Sequence, residues 1–377
     1  MRLTIRGALT ILIAILVMYL IIMTALGYIG PKPEKELIFP EALGPREVEY
    51  KITFLNKAYT INETLYQSYY EYYQAYSEQF PNIRTQGEYY QFIKEIHETN
   101  ETIASIVQSL QTIAVGEGFN ADQTLEFAMR FVQDIPYDVT KATEVTTYAQ
   151  ENDDQLRMDL LPRHPYITLY DQKGVCSDKT VLAAAIAEEM GYGTAIFSFD
   201  GEAMETGVGH VGLGVRCPPS YSIYNTGYCY VETTAPIRIG ITNIFLSQDL
   251  QASSLYITED SIEGLTPLNF SLAELHKLDD GAVYYGIIET YRLESELQGL
   301  AVLVDRQQME IERQRTRLNQ LNSTLNAMGS QYVEFSAEDY DMIFDEYSRE
   351  VDRFNQLVDE HNRNVEDYNR AVREMNY

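Results

Sequence analysis

The chain has 377 residues, with 28 basic against 56 acidic side chains and a formal net charge of −28. A surface this acidic repels phosphate backbones and anionic lipid headgroups, which excludes nucleic acid as a partner and suits solubility outside the cell or in a saline habitat. Three cysteines are too few for a disulfide-dense scaffold, and the length allows two or three domains.

Arg2 and Arg6 precede an uncharged run from Ala8 to Ile29 whose centre is almost wholly aliphatic. About 20 apolar residues cross a bilayer as a helix, and basic residues stay on the cytoplasmic side. The spacing predicts a cytoplasmic tail at 1–7, a single-pass transmembrane signal anchor at 8–29, and everything beyond it outside the cell membrane. Cleavage near Ala25-Leu26-Gly27, as in a secretory signal peptide, is the rival reading, but the apolar run is longer than a usual signal core. Pro31, Pro33, Pro40 and Pro45, with Gly30 and Gly44, mark residues 30–49 as a linker. Four N-x-Ser/Thr sequons follow the anchor, at Asn62, Asn100, Asn269 and Asn322, and are acceptors for glycosylation in such a compartment.

Tyr50 to Thr60 reads as a strand, and Glu63 to Ala114 as helices broken near Pro81. The tyrosines at 66, 69, 70, 72, 73 and 76 read as helix packing with their hydroxyls at the rim, in preference to an aromatic binding surface. The decisive stretch is Lys173-Gly174-Val175-Cys176-Ser177-Asp178, which runs into an unbroken apolar segment, Val181 to Ala187. A helix this apolar is buried on every side, and Gly191 stops it. Cys176 then sits at a helix N-terminus, where unpaired N–H groups favour a thiolate and can hold an oxyanion. Asp178 works against the thiolate.

His210 follows in a segment of strand character, Gly209 to Val215, and Glu232 in another, Tyr230 to Thr234. Side chains alternate along a strand. His210, Gly212 and Gly214 share one face, as do Tyr230 and Glu232, so an antiparallel pair can bring His210 to Glu232, with the glycines leaving room for a substrate. A thiol nucleophile, an imidazole base and a carboxylate that orients it are the parts of an acyl-transfer site. Cys217 and Cys229 flank the intervening loop. A disulfide between them and two separate thiols both remain open, because direct pairing of the cysteines needs a register four residues from direct pairing of His210 and Glu232. An intermediate register or a bulge can serve both diagonally.

The segments Gly174-x-Cys176-x-Asp178, Gly209-His210-x-x-x-Gly214-Val215 and Tyr230-x-Glu232-Thr233-Thr234 resemble those of the transglutaminase-like superfamily, particularly archaeal transglutaminase-like cysteine proteases. Phe131 to Tyr137 resembles the helix that precedes the core in that family, and His164 to Leu169 its approach to the nucleophile. The resemblance spans residues 50–245, about half the chain. It implies an α+β, papain-like fold and leans toward proteolysis. Ser177 stands where an acid is common, Glu232 where many members have Asp, and Trp is absent throughout.

After a connecting segment at 246–286, residues 287–377 repeat apolar positions at alternating three- and four-residue steps. They run from Leu297 to Met328 and, beyond Gly329-Ser330, from Phe344 to Met375. This predicts a coiled-coil helical hairpin capped by Ser336 and Asp339, with Gln307, Gln314 and His361 setting the register. Such a hairpin buries its own seam and is expected to be dispensable to the catalytic domain, serving assembly with a partner or a second copy. No histidine pair has metal-ligand spacing and no phosphate-binding loop occurs, so neither a metal nor a cofactor is expected. The sequence thus reads as a membrane-anchored, extracytoplasmic thiol enzyme acting on peptide or protein substrates. The alternative is a non-enzymatic surface scaffold using the same domain and hairpin for assembly.

Overall fold

The computed structural model of the protein describes residues 39–77, 92–93, 96, 101–151, 161–199, 209–242, 245–247, 265–330 and 336–375. The segment at 8–29, Asn100 and His97 lie outside them. Among the described residues no helix is long and apolar enough to cross a membrane.

Strands β1 (Pro45–Phe54) and β2 (Lys57–Tyr66) form an antiparallel ribbon. Val48, Tyr50, Ile52 and Phe54 alternate inward. Between the strands, Leu55 and Asn56 have φ of 49° and 63°, the doubly left-handed geometry of a two-residue hairpin turn. Asn accepts it readily, whereas Leu does not, so composition does not advertise the turn. The single strand expected over 50–60 is therefore two strands, and the extended linker stops at Gly44. Helix α1 (Gln67–Ser77) follows, and its tyrosines pack as expected. Tyr69, Tyr72 and Tyr73 surround Phe39, and Tyr73 stacks on His164 at 3.7 Å.

Helices α2 (Glu101–Glu117), α3 (Ala121–Asp134), α4 (Val139–Glu151) and α5 (Pro165–Asp171) lead to α6 (Cys176–Glu189). Asn120 opens α3 with a reciprocal cap: Gln123 N–H donates to its side chain, and Gln123 Oε1 accepts from its N–H. In α6, Val181 to Ala187 have no exposed surface. Helix α6 ends at Gly191, whose φ of +85° needs glycine. Cutting Leu182 back to Ala would cost about 2–5 kcal/mol.

The central sheet is antiparallel, in the order β5 (Tyr228–Val231), β4 (His210–Arg216), β3 (Thr194–Phe199), β8 (Glu274–Asp279). A separate small ribbon joins β6 (Phe245–Ser247) and β7 (Leu265–Pro267). Leu213, Val215 and Val231 face the cluster that contains α6. The edge strand β8 comes from the stretch at 246–286 expected only to connect domains, so residues 274–279 of it belong to the sheet.

The other face of the sheet is also covered, which alters the reading of the tail. Helices α7 (Ile287–Gly329) and α8 (Ala337–Met375) run antiparallel: Asn364 donates to Gln307 at 2.8 Å, and Arg317 meets Glu346. At 43 residues, α7 is about 65 Å long. Ser336 and Asp339 cap α8 reciprocally. At its base, however, the hairpin gives up apolar residues to the sheet. Leu293, Leu297, Ala371 and Met375 share one buried cluster with Phe197, Phe199 and Tyr230. Arg238 ties the base down, donating to the Glu374 carbonyl at 3.2 Å and to both Glu126 oxygens at 3.0 Å. The hairpin is thus a structural wall of the core, not a self-contained appendage, because its lowest turns bury their apolar face on the sheet as well as on each other.

Candidate active site

Cys176 is the first residue of α6 and is half-exposed. The chain before it is pinned to the end of α3. Gly174 N–H donates to the Pro136 carbonyl, and Asp138 N–H donates to the Gly174 carbonyl, both at 3.1 Å. A Cβ at position 174 would lie 2.9 Å from that of Asp178, so the close approach requires glycine.

Asp178, expected to oppose a thiolate, is buried beneath the helix start and answered by two cations. Its Oδ1 accepts from Lys141 Nζ and from Arg163 N–H, both at 2.7 Å. Its Oδ2 accepts from Val175 N–H at 3.1 Å and lies 3.5 Å from the Arg163 guanidinium. Burial pulls the Lys141 ammonium below its usual range against the pull of Asp178. A buried ion cluster of this kind contributes little net stability, but it fixes geometry. Here it fixes the turn that presents Cys176.

His210 opens β4, and Glu232 follows directly after β5. His210 Nε2 lies 3.0 Å from Glu232 Oε2, leaving Nδ1 as the ring's other polar atom, and Cys176 lies near enough to act on the imidazole electrostatically. Glu232 is buried but fully served. Thr234 donates to Oε1 through its N–H at 2.8 Å and its hydroxyl at 2.5 Å, and the Tyr230 hydroxyl donates to Oε2 at 2.8 Å. Burial works against charge on both partners. On His210 it is outweighed by the Glu232 carboxylate and by Cys176, which raise the pKa to about 10. On Glu232 it is outweighed by His210 and Thr234, which hold the pKa at about 2. The pair is therefore an imidazolium and a carboxylate at neutral pH.

Three polar ties lock the elements together around this pair. Thr180 of α6 donates to the Val211 carbonyl and touches the Thr233 hydroxyl, both at 3.2 Å. Gln133 donates to the carbonyls of Glu232 and Ile237, both at 2.8 Å. Lys179, wholly buried one turn beyond Cys176, donates to the carbonyls of Gln133 and Ile135 at 3.0 and 2.8 Å, and burial brings its pKa down to about 7. Sequence reasoning assigned no role to Gln133, Lys179 or Tyr230. Only Tyr230 carried a signal, sharing strand parity with Glu232.

The glycines of β4 do not make a substrate space. A side chain at Gly212 would collide with the Tyr230 ring, and one at Gly214 would meet Phe197 at 3.0 Å. Aromatic rings already fill that face. Cys217 and Cys229 are disulfide-bonded, with Cα atoms 5.7 Å apart. His164 caps α5, accepting from Tyr166 N–H at 3.1 Å, and burial keeps it neutral with a pKa of about 3. Among the described residues, no group of three potential ligands could hold a metal ion. Asn62, Asn269 and Asn322 are exposed.

Residues 101–232, from the start of α2 to Glu232, match the family model described as a transglutaminase-like domain. The chain therefore carries a transglutaminase-like domain. No curated protein and no solved structure matches it.

Proposed function

We propose that the protein is a thiol-dependent acyl-transfer enzyme, acting as a cysteine protease or amidase, with Cys176 as nucleophile, His210 as base and then acid, and Glu232 as the group that orients His210. The observation that carries this reading is the convergence at the start of α6: His210 Nε2 is committed to Glu232, and the next residue, Thr233, donates to the Cys176 carbonyl at 3.5 Å. The proton on His210 is the one taken from Cys176, whose sulfur then attacks a peptide or amide carbonyl. The N–H groups of the first turn of α6 stabilise the oxyanion. His210 gives its proton to the leaving amine, and a thioester remains. Water as the second acceptor completes hydrolysis, whereas an amine would give a crosslink.

The apolar run at 8–29 and the preceding arginines support a single-pass anchor with this domain outside the cell, and the Cys217–Cys229 bond is in keeping with an oxidising compartment. The hairpin offers a long surface for a partner or a second copy.

The test is labelling with a thiol-reactive probe at neutral pH, followed by profiling on a peptide library with Cys176→Ala as control. Selective labelling of Cys176 that is lost in His210→Ala supports the enzyme. A thiol that labels equally slowly with and without His210 supports a non-enzymatic scaffold. Protease accessibility on intact cells tests the topology, since a domain shielded until lysis would reverse it.

A further inference from the structure

We propose that Tyr230 is a positioning residue of this site: its hydroxyl holds the Glu232 carboxylate in the orientation that keeps His210 turned toward Cys176. The proposal rests on the acyl-transfer reading and names a fourth member of that machinery.

The geometry is specific. The Tyr230 hydroxyl donates to Glu232 Oε2 at 2.8 Å and lies 3.1 Å from His210 Nε2, so the three polar atoms close a triangle. Glu232 is then gripped from both sides, by Thr234 on Oε1 and by Tyr230 on Oε2. A buried carboxylate held by only one oxygen can swing, and the imidazole bonded to it swings too. Charge-assisted bonds of this kind are the strong ones, and at metal sites the outer partners that orient a ligand are worth about 10–100-fold.

The strand is built around this ring. Tyr230 pairs with Gly214, yet its hydroxyl reaches His210, four residues further along β4. The side chain must therefore lie along the strand, across position 212. A Cβ there would fall 2.5 Å from the Tyr230 hydroxyl oxygen. Glycine at 212 is the vacancy through which Tyr230 passes. Phe197, Phe199 and Phe270 pack edge-on around the ring, with centroids 5.0–6.0 Å away, and fix its tilt. The hydroxyl is wholly buried and does not touch substrate.

The experiment is the pH dependence of Cys176 alkylation by iodoacetamide, read in the full chain and in Tyr230→Phe, Glu232→Gln and the double variant. Phenylalanine keeps the ring and removes only the oxygen, and a melting curve confirms the fold. In the unaltered protein, alkylation should persist into mildly acidic pH. In Tyr230→Phe, the rate at that pH should fall roughly tenfold, the loss of one hydrogen bond to a charged group. The same change should have little further effect on top of Glu232→Gln, because Tyr230 acts through Glu232. Gly212→Ala, which displaces the ring without altering the hydroxyl chemistry, should reproduce the Tyr230→Phe profile. An unchanged profile in Tyr230→Phe, or additive losses in the double variant, overturns the role of Tyr230 and leaves the enzyme reading standing. An ordinary thiol profile in the unaltered protein overturns both.

Discussion

His210 and Glu232 meet diagonally, not face to face. Leu213 pairs with Val231, so Glu232 stands opposite Gly212, one step of the same face away from His210. At the other end of the two strands Val215 pairs with Cys229, and Cys217 is offset from it by the same step in the opposite sense. One register, intermediate between the two direct pairings, lets both contacts form without a bulge. The disulfide and the His–Glu pair thus hold the same two strands at their two ends.

The stability share of the disulfide follows from the chain it closes. Cys217 and Cys229 are 12 residues apart, and a loop of that size is worth about 3 kcal/mol in the chain-entropy account. Cys217→Ser with Cys229→Ser should lower the unfolding free energy by about 2–3 kcal/mol in a denaturant titration. Labelling of Cys176 should survive, because the Thr180, Gln133 and Thr234 bonds hold the reactive end independently. Loss of labelling without loss of fold would show that the register needs the disulfide to exist.

Three buried groups give pH signatures of both signs. The folded pKa of His210 is raised to about 10, so its stabilisation is complete below the unfolded value of about 6.5 and fades as pH climbs through 10. Glu232 is depressed to about 2, so its share is complete above about 4.3 and fades as pH falls through 2. Lys179 is depressed to about 7 against about 10.4 unfolded. The unfolded chain therefore holds the extra proton between those values, and stability rises with pH there. Above pH 7 the histidine and lysine slopes oppose one another. Melting temperatures from pH 5 to 10 should vary less in the unaltered protein than in either variant. Lys179→Met should expose a decline and Glu232→Gln a rise. Parallel curves for all three would refute the assigned charges.

The candidate site was legible in the sequence where chemistry and period coincide. Cys176 before an unbroken apolar helix, and His210 and Glu232 on strands of matching parity, needed only local information. What was not legible depended on long-range contact. Spacing marks Leu297 as apolar-facing but does not say whether it faces α8 or a sheet 100 residues away in sequence, so the hairpin looked self-sufficient. Strand β8 reads Glu274-Leu275-His276-Lys277, half-exposed and polar like an edge strand, and it is recognisable only once β3 is beside it. Glycine at 212 signalled space. Which side chain takes that space, Tyr230 or a substrate, is decided by register.

His210→Ala removes the base and the counter-charge together. General acid–base removal costs about 100- to 10,000-fold, so turnover on any substrate found by library profiling should fall in that range. Buried Glu232 would be left with an uncompensated charge, so the unfolding free energy should fall by about 3–5 kcal/mol as well. His210→Gln, which restores a donor toward Glu232, should recover part of the stability and none of the turnover. Recovery of turnover in His210→Gln would contradict a proton-transfer role.

The hairpin supplies the clearest contrast between the sequence expectation and the structure. Its base covers Phe197, Phe199 and Tyr230 through Leu293, Leu297, Ala371 and Met375, and Arg238 reaches its last turn. Its distal part joins the two helices to each other, through contacts such as Asn364 to Gln307 and Arg317 to Glu346. Two deletions separate these roles. Excising residues 308–363 and joining the ends with a short Gly-Ser link should leave melting and Cys176 labelling close to the full chain. Truncation before Ile287 uncovers one face of the sheet, removing several leucine- and methionine-sized contacts worth about 1.5–3 kcal/mol each. It should yield a protein that aggregates or melts far lower, with Cys176 labelling lost alongside the support of Tyr230. Any self-association seen by sedimentation should go with the distal deletion alone. A truncated protein that melts and labels normally would restore the picture of a dispensable appendage.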